Sequence, residues 1–77
     1  MDLLPDVVAL LVEATQAEPG SIDGATPLRS LEGWDSLGVV YFLGEAAARW
    51  PTVSVSADEV AACEVVADLA RLTAARL

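Results

Sequence analysis

The chain has no histidine, no lysine and a single cysteine, Cys63. Without histidine, imidazole acid–base chemistry and His-dependent triads are excluded. One thiol cannot close an intramolecular disulfide, and with no histidine beside it a zinc site is close to excluded. No metal site is therefore expected, and a reduced, cytoplasmic setting is the natural expectation. Aromatics are also scarce, at 5% of 77 residues. Long apolar runs are missing too. The longest charge-free stretch in the middle, Ser36 to Gly44, falls far below the roughly 18 residues of a membrane span. The acidic opening, Met1-Asp2-Leu3-Leu4-Pro5-Asp6, does not read as a secretory or transit signal.

What the chain has is acid and apolar surface. Twelve acidic residues against four arginines give a net charge of −8. Nucleic acid and anionic membrane would be repelled. Such a surface suits partners with basic patches, although acidity often does no more than keep a small protein soluble. On charge alone the plainer explanation is preferred. With 55% hydrophobic residues the chain is globular rather than disordered. Its length makes one domain, residues 1–77, with a small core and about 60% of the unfolded surface buried.

Residues 3–17 read as a first helix. Leu4, Val7, Val8, Leu11, Val12 and Thr15 recur at spacings of three and four and form one stripe. Asp2 can cap its start, Pro5 is tolerated in its first turn, and Pro19-Gly20 stops it. Residues 18–35 carry turn signals: Glu18-Pro19-Gly20-Ser21, Asp23-Gly24 and Thr26-Pro27. So long a loop in so small a domain is unusual, and such loops are commonly functional or disordered. Ile22, Leu28, Leu31 and Trp34 are spaced along it as apolar anchors, which argues for a loop pinned to the core with a short helical turn near Leu28–Leu31.

Residues 36–50 read as a second helix stopped by Pro51. At 100° per residue, Val39, Phe42, Leu43, Ala46 and Trp50 form a core stripe. Leu37, Tyr41, Gly44 and Ala48 lie opposite, with Val40 on the border and Glu45 and Arg49 to one side. An uncharged face outside the core is a candidate contact surface. The competing explanation is a helix buried on both sides, which a small bundle rarely permits. Gly38 and Gly44 each cost a helix roughly 1 kcal/mol relative to alanine. Nothing in the sequence accounts for Gly38. Gly44 either lets a partner or tethered group come close or is simply unconstrained.

Residues 51–56 form a connector in which Val53 and Val55 alternate with polar residues, but a lone strand would have no mate. Ser56-Ala57-Asp58-Glu59 matches a capping box. Local rules then draw one helix to Leu77, with a stripe of Ala62, Val65, Val66, Leu69 and Leu72. Asp68 and Arg71 can pair on its outside.

Of five serines, only Ser36 follows the anchored loop, opens a helix and adjoins a carboxylate. Asp35 can accept from the first free N–H groups of that helix. A phosphate ester on Ser36 would lie near the positive end of the macrodipole, with Asp35 opposing it by like charge. A flexible phosphodiester pointing outward relieves that conflict. Taken alone, Asp35-Ser36-Leu37 is more simply a helix cap.

In its wider context, the chain resembles the acyl carrier and peptidyl carrier protein family. Asp35-Ser36-Leu37 carries the resemblance. Leu4 to Val12, Thr26-Pro27-Leu28, Leu31, Trp50, Val55, Val66-Ala67-Asp68-Leu69 and Leu72 support it. The resemblance implies an all-α four-helix bundle: three main helices, a short third helix, and a long loop between helices 1 and 2. It places a break near Cys63-Glu64. It implies that a phosphopantetheinyl transferase attaches 4′-phosphopantetheine from coenzyme A to Ser36, making a phosphoprotein. The arm's thiol would hold an acyl or aminoacyl group as a thioester for loading and processing enzymes. The domain itself would catalyse nothing and act as a monomer. Asp35, Leu37, Val40, Tyr41 and Gly44 would meet the partners. Cys63 serves more simply as a small apolar filler. Two departures bear on the pathway. The second helix is nearly neutral, where carriers of primary fatty acid synthesis are acid-rich, and Trp34 precedes Asp35. Both point to polyketide or nonribosomal peptide biosynthesis. The alternatives are a fatty-acid carrier and an unmodified interaction module of the same fold.

Overall fold

A computed structural model describes residues 2–77, so Met1 of the expected domain lies outside the described part. Among the described residues the chain forms four α-helices and one 3-10 turn. These are α1 (Leu4–Thr15), the turn Leu28–Ser30, α2 (Ser36–Arg49), α3 (Ala57–Ala61) and α4 (Val66–Ala75). No strand forms among them, and the connector's Val53 and Val55 find no mate. A single isolated bridge joins Pro27 to Val65.

Helix α1 is shorter than residues 3–17. Asp2 accepts the Leu4 N–H at 3.0 Å, and Pro5 occupies the first turn. The helix ends where Gln16 turns left-handed, at φ 57°, ahead of Pro19-Gly20. Its inner face is Leu3, Val7, Leu10 and Leu11, all buried. Leu10 was missing from the expected stripe. Leu4, Val8 and Val12 were in it and are only partly buried, so the buried face is rotated toward Leu10. That rotation follows from α1 lying against both α2 and α4.

The loop is pinned as the anchors suggested. Ile22 and Leu28 are buried, and Leu31 and Trp34 pack on the core from its edge. In α2, Phe42 and Ala46 are buried, while Val39, Leu43 and Trp50 are partly so.

The last third is two helices, not one. Ser56 and Glu59 close a reciprocal capping box at the start of α3. The break falls at 62–65, where the resemblance puts it. Backbone from the distant loop causes it. Leu28 N–H bonds the Glu64 carbonyl at 2.9 Å, Val66 N–H the Thr26 carbonyl at 3.0 Å and Ala67 N–H the Gly24 carbonyl at 2.9 Å. Asp68 then caps α4, accepting from the Glu64 and Val65 N–H groups at 3.2 Å each. These bonds satisfy the backbone groups that breaking a helix exposes.

The single-helix stripe accordingly fails at Ala62, which is exposed, and Leu72 is only half-buried. Val60, Ala70 and Thr73 are buried in their stead. Thr73 is polar and fully buried, but its hydroxyl donates to the Leu69 carbonyl at 2.8 Å, so no unpaired group is left inside. Arg71 pairs with Asp68 on the outside as expected, and Arg76 reaches back to Glu59 and the Ser54 carbonyl.

Candidate functional site

The junction between the loop and α2 is built from three local locks. The first is a backbone contact. Gly33 takes φ +92°, a conformation that side chains rarely tolerate. This turn puts its carbonyl oxygen against Gly38, on the first turn of α2. A Cβ at Gly38 would fall inside contact distance of that oxygen and 3.5 Å from the Trp34 ring. Gly38 is therefore a close-approach glycine, which the sequence pattern did not show.

The second lock is Trp34, whose ring meets Phe42 edge-on at 6.1 Å between centroids, tilted 78°. Trp34 is thus a loop anchor on the core's largest fully buried side chain. The third is Asp35. One of its carboxylate oxygens accepts from the Leu37 N–H at 3.0 Å and the Gly38 N–H at 3.2 Å. Its carbonyl accepts the Val39 N–H at 2.9 Å.

Ser36, the first residue of α2, is exposed in the middle of these locks. Among the described residues no group hydrogen-bonds its hydroxyl. The other serines differ. Ser21 donates to the Glu18 carbonyl at 2.6 Å, Ser30 to the Pro27 carbonyl at 2.7 Å, and the Ser56 hydroxyl serves the α3 cap. Ser54 also has an unengaged hydroxyl, but it lies in the extended connector and not at a helix start.

The Asp35 cap changes the electrostatics expected at Ser36. Two of the free N–H groups that would attract an anion are already taken by a carboxylate. An anion on the Ser36 oxygen would find little holding it at the helix end and would point into water.

The remaining candidate residues lie along the outer face of α2. Leu37 is 80% exposed, Val40 65% and Tyr41 43%. Gly44 is exposed, and a Cβ added there would meet nothing within 4 Å. The face ends toward α1 at a polar edge. There Arg49 pairs with Glu13 at 3.4 Å, and partial burial with the nearby Glu13 and Glu45 carboxylates raises the Tyr41 phenol above its ordinary pKa. Glu13 belongs to a helix that sequence spacing could not orient against α2, so this edge was not anticipated.

Cys63 lies apart from Ser36 in sequence, in a groove of about 390 Å³ between the 3-10 turn and the α3–α4 joint. Burial, then the Asp68 carboxylate, pushes its thiol above the ordinary cysteine range, and the thiol donates toward the Glu59 carbonyl at 3.6 Å. A thiol held protonated is a poor nucleophile.

No helix among the described residues is long and apolar enough to cross a membrane. No family model matches the chain, and no curated protein or solved structure is significantly similar to it.

Proposed function

We propose that the chain is a discrete acyl or aminoacyl carrier, modified at Ser36 with 4′-phosphopantetheine. In this reading the four helices form the carrier family's four-helix bundle. One observation carries the proposal: an exposed, unengaged hydroxyl on the first residue of α2, beside a carboxylate that caps the helix. The residues fit the group. Ser36 offers an oxygen with open approach, and its surroundings are already satisfied without it.

In the attachment, the Ser36 oxygen bonds to the phosphorus that carries the pantetheine. The phosphoanhydride bond of coenzyme A breaks and the nucleotide leaves. The hydroxyl proton would pass to a base supplied by the phosphopantetheinyl transferase. Once attached, the arm supplies the thiol that holds cargo as a thioester. Asp35 keeps the helix start formed, and its charge keeps the phosphodiester turned outward. Leu37, Val40, Tyr41 and Gly44 supply the surface on which the transferase and the loading and processing enzymes dock. Tethering raises the cargo's effective concentration at each of them. The neutral α2 face favours polyketide or nonribosomal peptide biosynthesis over fatty acid synthesis.

The exposed apolar face would serve equally in an unmodified interaction module, and that is the second reading. Intact mass after incubation with coenzyme A and a broad-specificity phosphopantetheinyl transferase separates the two. The carrier gains one phosphopantetheine, and Ser36→Ala gains none. An unchanged wild-type mass favours the module, and a gain that persists in Ser36→Ala refutes the site.

A further inference from the structure

Residues 54–63, the end of the connector together with α3, are fastened differently from the segments around them. Their backbone bonds stay inside the segment. Val60 N–H reaches the Ser56 carbonyl, Ala62 N–H the Asp58 carbonyl and Cys63 N–H the Val60 carbonyl, each at 3.1 Å. Among the described residues, every hydrogen bond that leaves the segment for a distant element is made by Arg76, just past the end of α4. Its guanidinium meets both oxygens of the Glu59 carboxylate and donates to the Ser54 carbonyl at 3.0 Å. The same carboxylate accepts the Ser56 N–H at 3.2 Å, so Arg76 is joined through it to the α3 cap.

Both flanks are fixed without Arg76. Before the segment, Val53 N–H bonds the Trp50 carbonyl at 2.9 Å, and after it Leu28 N–H bonds the Glu64 carbonyl at 2.9 Å. Between them Val60 is the only fully buried side chain, with Val55 and Cys63 half-buried at the edge of the core. Helix α3 packs chiefly on α2, while α1 packs on α2 and α4 without it. A segment with so little buried surface, held between two fixed ends, can open at a lower free energy than the whole fold.

We propose that residues 54–63 form a strap that opens as a unit while α1, α2 and α4 stay folded, and that the Arg76 guanidinium is the clip that holds it shut. Opening would expose Val60 and the part of α2 beneath α3. The inference is independent of what Ser36 carries.

Hydrogen exchange of the folded chain, followed by NMR at one pH and temperature across low urea concentrations, tests it. Val60, Ala62 and Cys63 report the strap, and the buried Leu11, Phe42 and Leu69 report the other helices. In the wild type the strap amides should exchange at least about tenfold faster than the other three, with a shallower urea slope, because a local opening exposes less surface. Arg76→Gln removes the clip and leaves the α3 cap. Glu59→Gln removes the charge but keeps a side-chain oxygen for the cap. Each should speed the strap amides about twofold to fivefold, the range for a partly exposed ion pair. The double variant should speed them no more than either single one. Continued protection at Leu11, Phe42 and Leu69 shows that each variant is folded. Strap amides that share the rates and urea slope of the other three show that the segment does not open alone, and overturn the inference. Wild-type strap rates in both single variants, or additive effects in the double one, show that opening does not break this clip and overturn it as well.

Discussion

Gly38→Ala and Gly44→Ala are the same chemical change on the same helix, yet the structure assigns them opposite signs. In an exposed helix interior, alanine for glycine stabilises by roughly 1 kcal/mol. Gly44 should show that gain in full, because the added methyl meets nothing within 4 Å. At Gly38 the methyl collides with the Gly33 carbonyl, and the neighbours cannot give way cheaply. Gly33 is held at φ +92°, its own Cβ position is 3.4 Å from the Thr15 backbone, and Trp34 is held against Phe42. Overpacking of this kind costs about 1–3 kcal/mol, which offsets or exceeds the propensity gain. The net expectation is a loss of up to roughly 2 kcal/mol at Gly38, and a difference of about 1–3 kcal/mol between the two variants. For a domain of this size each kcal/mol moves the thermal midpoint by about 4–8 °C, so the pair should separate clearly. Urea denaturation followed by circular dichroism measures both, with unchanged slopes as the check that only stability moved. If Gly38→Ala proves as stable as Gly44→Ala, the Gly33 contact is not a constraint and the account of the junction fails.

Two other changes test neighbouring parts of the structure. Asp35→Ala removes the acceptor for two helix N–H groups and should cost about 1 kcal/mol in urea denaturation, and a neutral result would mean that water replaces the cap. The Glu59 carboxyl is held below its ordinary pKa by its hydrogen bond to Arg76 and by the Ser56 N–H. A depressed folded pKa gives stability that is present above the unfolded value and is lost as pH falls through the folded one. Glu59→Gln should therefore flatten part of the fall in urea midpoint on acidification below the ordinary glutamate range. An unchanged acid profile would show that the Arg76 contact contributes nothing in solution.

The two faces of α2 were readable from spacing because each side chain's fate there depends on the helix's own periodicity. Leu37, Val40, Tyr41 and Gly44 all lie where 100° per residue puts them. Elsewhere the deciding contact comes from another segment. Local rules see no stop between Ser56 and Leu77, since the break at 62–65 is made by loop carbonyls and N–H groups some forty residues earlier. Gly38 resisted explanation because its constraint is a backbone oxygen, and a backbone oxygen leaves no side-chain signature. Gly33, five residues before Gly38, takes the positive φ that brings this oxygen close, and that conformation is visible only in the structure. Thr73 is absent from the expected stripe of the last helix, yet a hydroxyl bonded to the carbonyl one turn back can be buried at small cost. Leu10 was missed because α1 has two neighbours and the expected stripe allowed for one.

The same local economy bears on why Ser36, among the serines, suits a changing covalent load. Ser21, Ser30 and Ser56 each spend their hydroxyl on a turn or a cap, so an ester there would remove a bond the fold uses. At Ser36 the neighbours satisfy one another. Asp35 is occupied with helix N–H groups, Trp34 with Phe42, and the Gly33 carbonyl with the surface of Gly38. None of these contacts passes through the Ser36 oxygen, so a group attached there adds no strain and breaks no bond. The backbone beneath it is nonetheless held by the contacts of Gly33, Trp34 and Asp35, so the Ser36 oxygen keeps one position relative to the apolar face of α2. A partner seated on Leu37, Val40 and Gly44 would then meet the base of the tether in the same place whatever the tether holds. In the proposed carrier reading, recognition would fall to exposed side chains and cargo to a single oxygen.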